Sequence, residues 1–283
     1  MSSVDRWKSQ TLLLVAAAIV AALMFVPYGY LLVYPFRLFG TFIHEVGHAV
    51  AAVATGGYVE SMVVQFDTSG YVKSGGGIRV IVASAGYLAS VAVGAALLFA
   101  GRRRRWARTT LLVTGVATIG ATAVFAGYGG ATASLFAFLI LAAGIGLFVI
   151  GNRKASAAKS RRAYAVLGTA ALVGAAVFMW LIGGLLTAVV GLVTGGAILM
   201  VALYAKPLIQ HLTVLFLGVQ ISLDGLNSIQ VLWNITGQGH EHNDAATMAD
   251  LTGLPAGFWA ISWGLMGLAV IGAAFWSFWR SED

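Results

Sequence analysis

Apolar runs long enough to cross a lipid bilayer, repeated along the chain, constrain the fold of this sequence most strongly. A bilayer core about 30 Å thick requires about 20 apolar residues in a helix. By this measure the sequence predicts nine spans, at residues 11–34, 36–54, 78–100, 109–127, 132–150, 164–182, 185–204, 208–233 and 256–279. Only 10% of the 283 residues are charged, and the mean hydropathy is +0.89. We therefore predict an all-α polytopic membrane protein with about nine transmembrane helices, which excludes a soluble enzyme or a nucleic-acid-binding domain.

No loop between the apolar runs is long enough to form a separate soluble domain. Residues 1–283 are therefore predicted to be a single integral membrane domain, multi-pass in a cell membrane. Its parts are residues 11–100, the middle spans 101–205, and residues 206–283. In the seventh span, Gly191 and Gly195 form a small-xxx-small pair that favours close packing of helices.

The positive charge lies mainly in two loops between apolar spans. The net charge is +7, and arginines and lysines cluster at residues 102–108 and 153–162. Loops rich in Lys and Arg face the cytoplasm and can hold anionic lipid headgroups. The lipid bilayer, and not a nucleic acid, is therefore the expected partner of this charge. This orientation would place residues 55–77 and 236–253 outside the cytoplasm.

Residues 55–77 are too polar to span a membrane and contain a strand-like pattern. Tyr58–Phe66 is rich in residues that favour strands, and Thr68-Ser69-Gly70 is typical of a turn. A short β-hairpin is therefore predicted after the second span. Its strand at 59–66 could bind an unwound peptide through a free edge, or the hairpin could simply plug the helix bundle.

The second predicted span contains the sequence HEVGH at residues 44–48, an HExxH motif. Residues four apart lie on one face of a helix, so His44 and His48 can bind one metal ion with Glu45 beside them. Two imidazoles and one carboxylate leave the fourth position of a zinc ion open for water. Zinc activates that water, and a neighbouring glutamate can accept its proton. The motif predicts Zn²⁺ bound by His44 and His48, with Glu45 as the catalytic base. The alternative, that both histidines only pack in the core, leaves the buried Glu45 without a purpose.

Asp224 is the predicted third zinc ligand. It is the clear acidic residue within a predicted span apart from Glu45, and an aspartate inside a membrane requires a partner such as a metal ion. Asp224 and His48 also lie at similar distances from the ends of their spans. The predicted metal site is therefore His44, His48 and Asp224.

The polar segment 236–253 contains the rival ligands. Asp244 could be the third ligand, a partner that orients a histidine, or the N-cap of a helix beginning at Ala245. His240 and His242 could bind metal from an extended segment, although loop histidines of this kind are more often solvated. The choice between Asp224 and Asp244 remains open from the sequence.

With these residues in view, the chain resembles the site-2-protease-like intramembrane zinc metallopeptidases, in particular the compact peptidase-B-like branch without a PDZ domain. The similarity covers the beginning and the end of the chain, whereas the middle spans match only in hydrophobicity. It rests on Pro35–Ile43 leading into HEVGH, Thr55-Gly56-Gly57, Ser69-Gly70, Ser84–Tyr87, Leu223-Asp224-Gly225, Asp244-Ala245, Leu251–Pro255 and Trp259.

The resemblance implies zinc bound by His44, His48 and a distal aspartate, with Glu45 as the general base. The implied substrates are membrane-embedded protein helices, cut inside or near the bilayer. The superfamily often has Gly-Pro-x-x-Asn after the hairpin, where this chain has Gly86-Tyr87-Leu88-Ala89-Ser90. Gln220 or Asn227 could replace the missing polar group that positions the substrate.

Two other functions are compatible with the composition. The first is a catalytically inactive membrane scaffold or regulator that retains a metal site, but such a protein does not need Glu45. The second is a transporter, but the sequence shows no internal repeat of the kind found in many transporters. The pattern therefore favours a zinc-dependent intramembrane endopeptidase.

Overall fold

Ten α-helices and a small sheet make up the computed structural model, which describes residues 3–25, 28–154, 158–181, 183–236 and 243–280. The helices are α1 (Ser3–Phe25), α2 (Gly29–Ala54), α3 (Arg79–Gly101), α4 (Ala107–Phe125), α5 (Gly130–Lys154), α6 (Ala158–Leu181), α7 (Leu185–Tyr204), α8 (Pro207–Thr236), α9 (Asp244–Thr252) and α10 (Ala256–Arg280). The strands are β1 (Tyr58–Val64), β2 (Gly70–Gly75) and β3 (Gly127–Tyr128).

Seven of the described helices are long and apolar enough to span a bilayer: α3 to α8 and α10. The polytopic all-α membrane fold is therefore confirmed, but the predicted number of about nine spans is not. The predicted span 11–34 is divided between two helices, because α1 ends at Phe25 and α2 begins at Gly29. The apolar part of α1 found here is short, Ser9–Val20. The predicted span 36–54 lies in α2, which carries Arg37 and the charged HEVGH motif.

Small residues bring neighbouring helices close together. Gly47 on α2 faces Ala85 and Ala89 on α3, and a side chain at Gly47 would overlap them. Gly191 and Gly195 on α7 lie against α4 in the same way. The helix-packing role predicted for this pair is therefore confirmed. In a bilayer, such residues allow the dispersion contacts that hold helices together.

The sheet lies among the helices, in the order β2-β1-β3. Strand β1 is mostly buried and pairs with β2 as an antiparallel hairpin, which confirms the predicted hairpin. On its other side, the Glu60 carbonyl accepts a hydrogen bond from the Gly129 N–H (3.0 Å), and the Val64 N–H donates to Thr187 Oγ1 (2.9 Å). The expectation that residues 59–66 offer a free edge is therefore wrong, since this strand is central. The free edge belongs to β2.

Helix α9 occupies part of the predicted polar loop. Asn243 is its N-cap, and the Asn243 side chain accepts a hydrogen bond from the Ala246 N–H at 2.9 Å. The capping role considered for Asp244 therefore belongs to its neighbour. The α9 residues Ala245 and Met248 pack in an apolar cluster with Tyr87 and Trp263. This packing fixes the position of Asp244, the first residue of the helix.

Candidate metal centre

Helix α2 presents both histidines of the HEVGH motif to one point. His44 Nε2 and His48 Nε2 are 3.0 Å apart, as expected for side chains one helical turn apart. The His48 Nδ1–H group faces the Val82 carbonyl oxygen at 2.6 Å. With its proton on Nδ1, His48 directs the lone pair of Nε2 towards His44, which is the arrangement typical of a histidine that binds metal.

Asp244 completes a group of three metal-binding side chains with these histidines. Its Oδ2 atom is 3.2 Å from Nε2 of both His44 and His48. One ligand atom from each residue lies within 4.8 Å of the other two. Burial disfavours the charged form of Asp244, but the positive charge that His48 carries when its imidazole is protonated, and hydrogen bonds from both imidazoles, outweigh this effect. The pKa of the Asp244 carboxyl therefore lies below its ordinary value.

The spacing and chemistry of this group fit a zinc ion. Tetrahedral zinc with bonds of about 2.0–2.1 Å separates its ligand atoms by roughly 3.3 Å. The three separations here are 3.0, 3.2 and 3.2 Å. Two imidazole nitrogens and one carboxylate oxygen are ligands that zinc accepts, and three protein ligands leave a position for water or substrate.

Asp224, the third ligand predicted from the sequence, is not in this group. It lies on the wall of the cavity that contains the motif, and a Cβ atom at Gly40 would overlap its carboxylate. Gly40 is one helical turn before His44 on α2. Similar depth in the membrane therefore identified a residue that lies against the motif helix α2. The Asp224 carboxylate, however, contacts α2 at Gly40, one turn before His44, and not at the histidine nitrogens. The rival histidines, His240 and His242, lie outside the described residues.

Two α3 residues that the sequence analysis did not identify as site residues support the histidines. Gly86 lies so close that a Cβ atom there would overlap Nε2 of both His44 and His48. The Tyr87 ring meets His44 edge-on, with centroids 4.6 Å apart, and stacks on Trp263 at 5.0 Å. The four-residue spacing of Gly86 from Ser90 is a sequence signal for close helix approach.

Glu45 is buried, with 4% of its surface exposed, and lies under the hairpin. A Cβ atom at Gly70, the first residue of β2, would lie 2.7 Å from Glu45 Oε1. The turn before β2 is held to α2 by two hydrogen bonds: Thr41 Oγ1–H donates to the Thr68 carbonyl (2.7 Å) and Tyr34 O–H to that of Phe66 (2.6 Å). The hairpin therefore shields the glutamate while its free edge remains beside the site.

A cavity of about 660 Å³ joins these elements. Its walls include the HEVGH residues 44, 45 and 48, hairpin residues 67–72, and Arg37, Arg79, Asp224 and Asp244. Gln220, considered as a positioning group, is buried and does not line this cavity. The side chain of Asn227 lies outside the described residues. The cavity is large enough for an extended peptide segment beside the metal-binding group.

The chain matches the family model described as Peptidase M50B-like over residues 15–148 and 125–274. It belongs to the Peptidase M50B-like family. No curated protein and no solved structure matches the chain. Membership of the M50B-like family confirms the resemblance to site-2-protease-like peptidases. Together with the seven apolar helices, it indicates an intramembrane metallopeptidase and an integral membrane protein.

Proposed function

We propose that this M50B-like protein is a zinc-dependent endopeptidase that cuts membrane-embedded segments of other proteins in a cell membrane. One observation carries the proposal: His44, His48 and Asp244 converge to within 3.0–3.2 Å of one another, with Glu45 next in the chain. A purely structural metal site needs no buried carboxylate beside its ligands. The presence of Glu45 therefore favours an enzyme over a scaffold.

The metal would be held by His44, His48 and Asp244. When bound, zinc would polarise the scissile carbonyl and acidify water. Asp244 takes the place of Asp224 in this proposal, because Asp244 contacts both histidines. Gly86 provides the space in which the two imidazoles meet, and the Val82 carbonyl holds the ring of His48.

Glu45 would act as the general base and then as the general acid. Its carboxylate would accept a proton from the attacking water and pass it to the nitrogen of the departing amine. The hairpin over Glu45 limits access of bulk water to the carboxylate. A substrate therefore approaches from the cavity, where β2 forms one wall.

The free edge of β2 would bind the substrate main chain. A membrane helix must unwind before a peptide bond can enter the site, and its exposed N–H and C=O groups then need partners. An added strand on β2 would satisfy them through main-chain hydrogen bonds. The substrate class expected from this arrangement is a transmembrane helix with a segment that unwinds easily.

The first test is the zinc content of detergent-purified protein. We expect about one zinc per chain in the wild type and in Asp224→Asn, but a clear loss in Asp244→Asn, because, of these two aspartates, it is Asp244 that contacts both histidines. Glu45→Gln should retain zinc, but its rate of cleavage of a mixture of synthetic transmembrane peptides, followed by mass spectrometry, should fall at least a hundredfold.

Zinc loss in Asp224→Asn with retention in Asp244→Asn would reverse the ligand assignment. A folded wild type without zinc would contradict the proposed function.

A further inference from the structure

Arg37 and Asp224 are two charged residues in the cavity that the proposed chemistry does not use. Arg37 lies on α2 and Asp224 on α8, and both line the cavity beside the metal-binding group. Charged side chains inside a membrane protein are costly, and they usually mark a functional site. Their position next to the proposed peptidase centre raises the question of what they bind.

The packing of α2 against α8 places these two side chains together. The missing side chain of Gly40 leaves room for the Asp224 carboxylate against the α2 backbone. Arg37 precedes Gly40 by three residues and so lies near it on the same face of the helix. The positive charge of Arg37 acts on the carboxylate of Asp224. Both side chains therefore line one part of the cavity, where Gly40 lies one helical turn and Arg37 two turns before His44 on α2.

The hydrogen-bonding capacity of the two groups is complementary to that of a peptide. A guanidinium offers five N–H donors, and a carboxylate accepts through two oxygens with about four lone-pair positions. One peptide group exposes a C=O acceptor and an N–H donor. Even a direct contact between Arg37 and Asp224 would leave donors and acceptors available. The pair can therefore satisfy the main chain of an unwound segment that has left its own helix.

We propose that Arg37 and Asp224 form a subsite that binds the substrate main chain next to the scissile bond. Arg37 donates hydrogen bonds to a peptide carbonyl, and Asp224 accepts one from a peptide N–H. This inference rests on the proposed peptidase function and adds a second main-chain contact to that expected from β2. It assigns to Asp224 a role in substrate binding and none as a zinc ligand.

The test compares hydroxamates that share the metal-binding group but differ in their peptide portion. Acetohydroxamate can contact only the metal and its surroundings. Two dipeptide hydroxamates, one extending to each side of the hydroxamate group, can also reach a main-chain subsite. Affinities would be measured by calorimetry on the detergent-purified, zinc-loaded protein for wild type, Arg37→Met and Asp224→Ala. Asp250→Ala and Lys206→Met are matched controls, because both side chains are exposed and outside the cavity lining.

We expect both cavity variants to bind at least one dipeptide hydroxamate about tenfold or more weakly, the usual effect of losing a hydrogen bond to a charged group. Zinc content and acetohydroxamate affinity should stay at the wild-type level, which also shows that the variants are folded. Unchanged affinity for both dipeptide hydroxamates would overturn the subsite, and so would zinc loss in Asp224→Ala. A wild type that binds neither zinc nor acetohydroxamate would instead overturn the proposed function, and the subsite with it.

Discussion

At the scale of single residues, the metal-binding group depends on a glycine as much as on its ligands. Gly86 on α3 faces both His44 and His48 so closely that only a hydrogen atom fits between them. A metal-binding histidine must hold its ring within a few tenths of an ångström of the correct position. Close backbone contact at Gly86, together with the hydrogen bond from His48 to the Val82 carbonyl, provides this restriction.

Substitution of Gly86→Ala should disrupt zinc binding. The added methyl group would overlap Nε2 of both histidines and separate the rings. We expect the zinc affinity to fall at least tenfold, as is common when the support of metal ligands is changed. The measurement is a zinc titration against a competing chelator. Gly120→Ala on α4 is the control, because nothing lies within 4 Å of a Cβ atom there. Wild-type affinity in Gly86→Ala would contradict this account.

At the scale of elements, strand β1 forms backbone hydrogen bonds on both of its sides, with β2 on one side and with β3 and Thr187 on the other. The backbone groups of Glu60 and Val64 face away from β2. Hydrogen-bonded and non-hydrogen-bonded pairs alternate in an antiparallel ladder. Because the backbone groups of Val64 face away from β2, those of its neighbour Val63 face β2, and Val63–Tyr71 is a hydrogen-bonded pair. The next pair, Met62–Val72, is therefore non-hydrogen-bonded, so the backbone groups of Val72 point to the free edge of β2.

Substitution of Val72→Pro should therefore slow cleavage without removing zinc. Proline deletes an N–H at the free edge but breaks no hydrogen bond between β1 and β2. We expect the rate of transmembrane-peptide cleavage to fall about tenfold, the usual effect of one lost hydrogen bond with its neighbours disturbed. Val72→Ala keeps the N–H group and serves as the control. Equal rates in Val72→Pro and the wild type would show that substrates do not pair with β2.

At the scale of the whole molecule, α3 connects two parts of opposite character. It begins at Arg79, after the hairpin, and ends at Gly101, before five arginines at residues 102–108. The Arg102 guanidinium lies 4.9 Å from the centroid of the Phe99 ring, and Arg103 lies 5.2 Å from that of Trp106. Because α3 is long enough to span the bilayer, the hairpin and the arginines belong on opposite sides. The arginines favour the cytoplasmic side.

The absence of cysteine from the sequence makes this topology simple to test. Lys73→Cys on β2 and Arg105→Cys in the arginine-rich loop replace exposed residues. With a membrane-impermeant maleimide, we expect Lys73→Cys to be labelled in intact spheroplasts and Arg105→Cys only after lysis. The wild type should remain unlabelled in both. Labelling of both variants before lysis, or the reverse pattern, would contradict the predicted orientation.

Elements whose physics is local could be predicted from the sequence. Long apolar runs require helices in lipid, and the HEVGH spacing requires both histidines on one helical face, so the membrane class and the first half of the site followed directly. The hairpin was also predictable, because strand-forming residues flank a turn. The number of spans did not follow in the same way, since Pro27 and the charges of α2 interrupt the apolar pattern near the beginning of the chain.

Contacts between residues far apart in the chain depend on the packing of whole elements. Asp244 follows His44 by 200 positions, and α9 brings it to the histidines through the packing of Ala245 and Met248. Asp224 had the better sequence argument, but α8 directs it to Gly40, one turn away. Which strand of the hairpin is free also depended on β3 and Thr187, far along the chain. Hydropathy and spacing fix depth and helix face, whereas contact between elements depends on packing that no local pattern encodes.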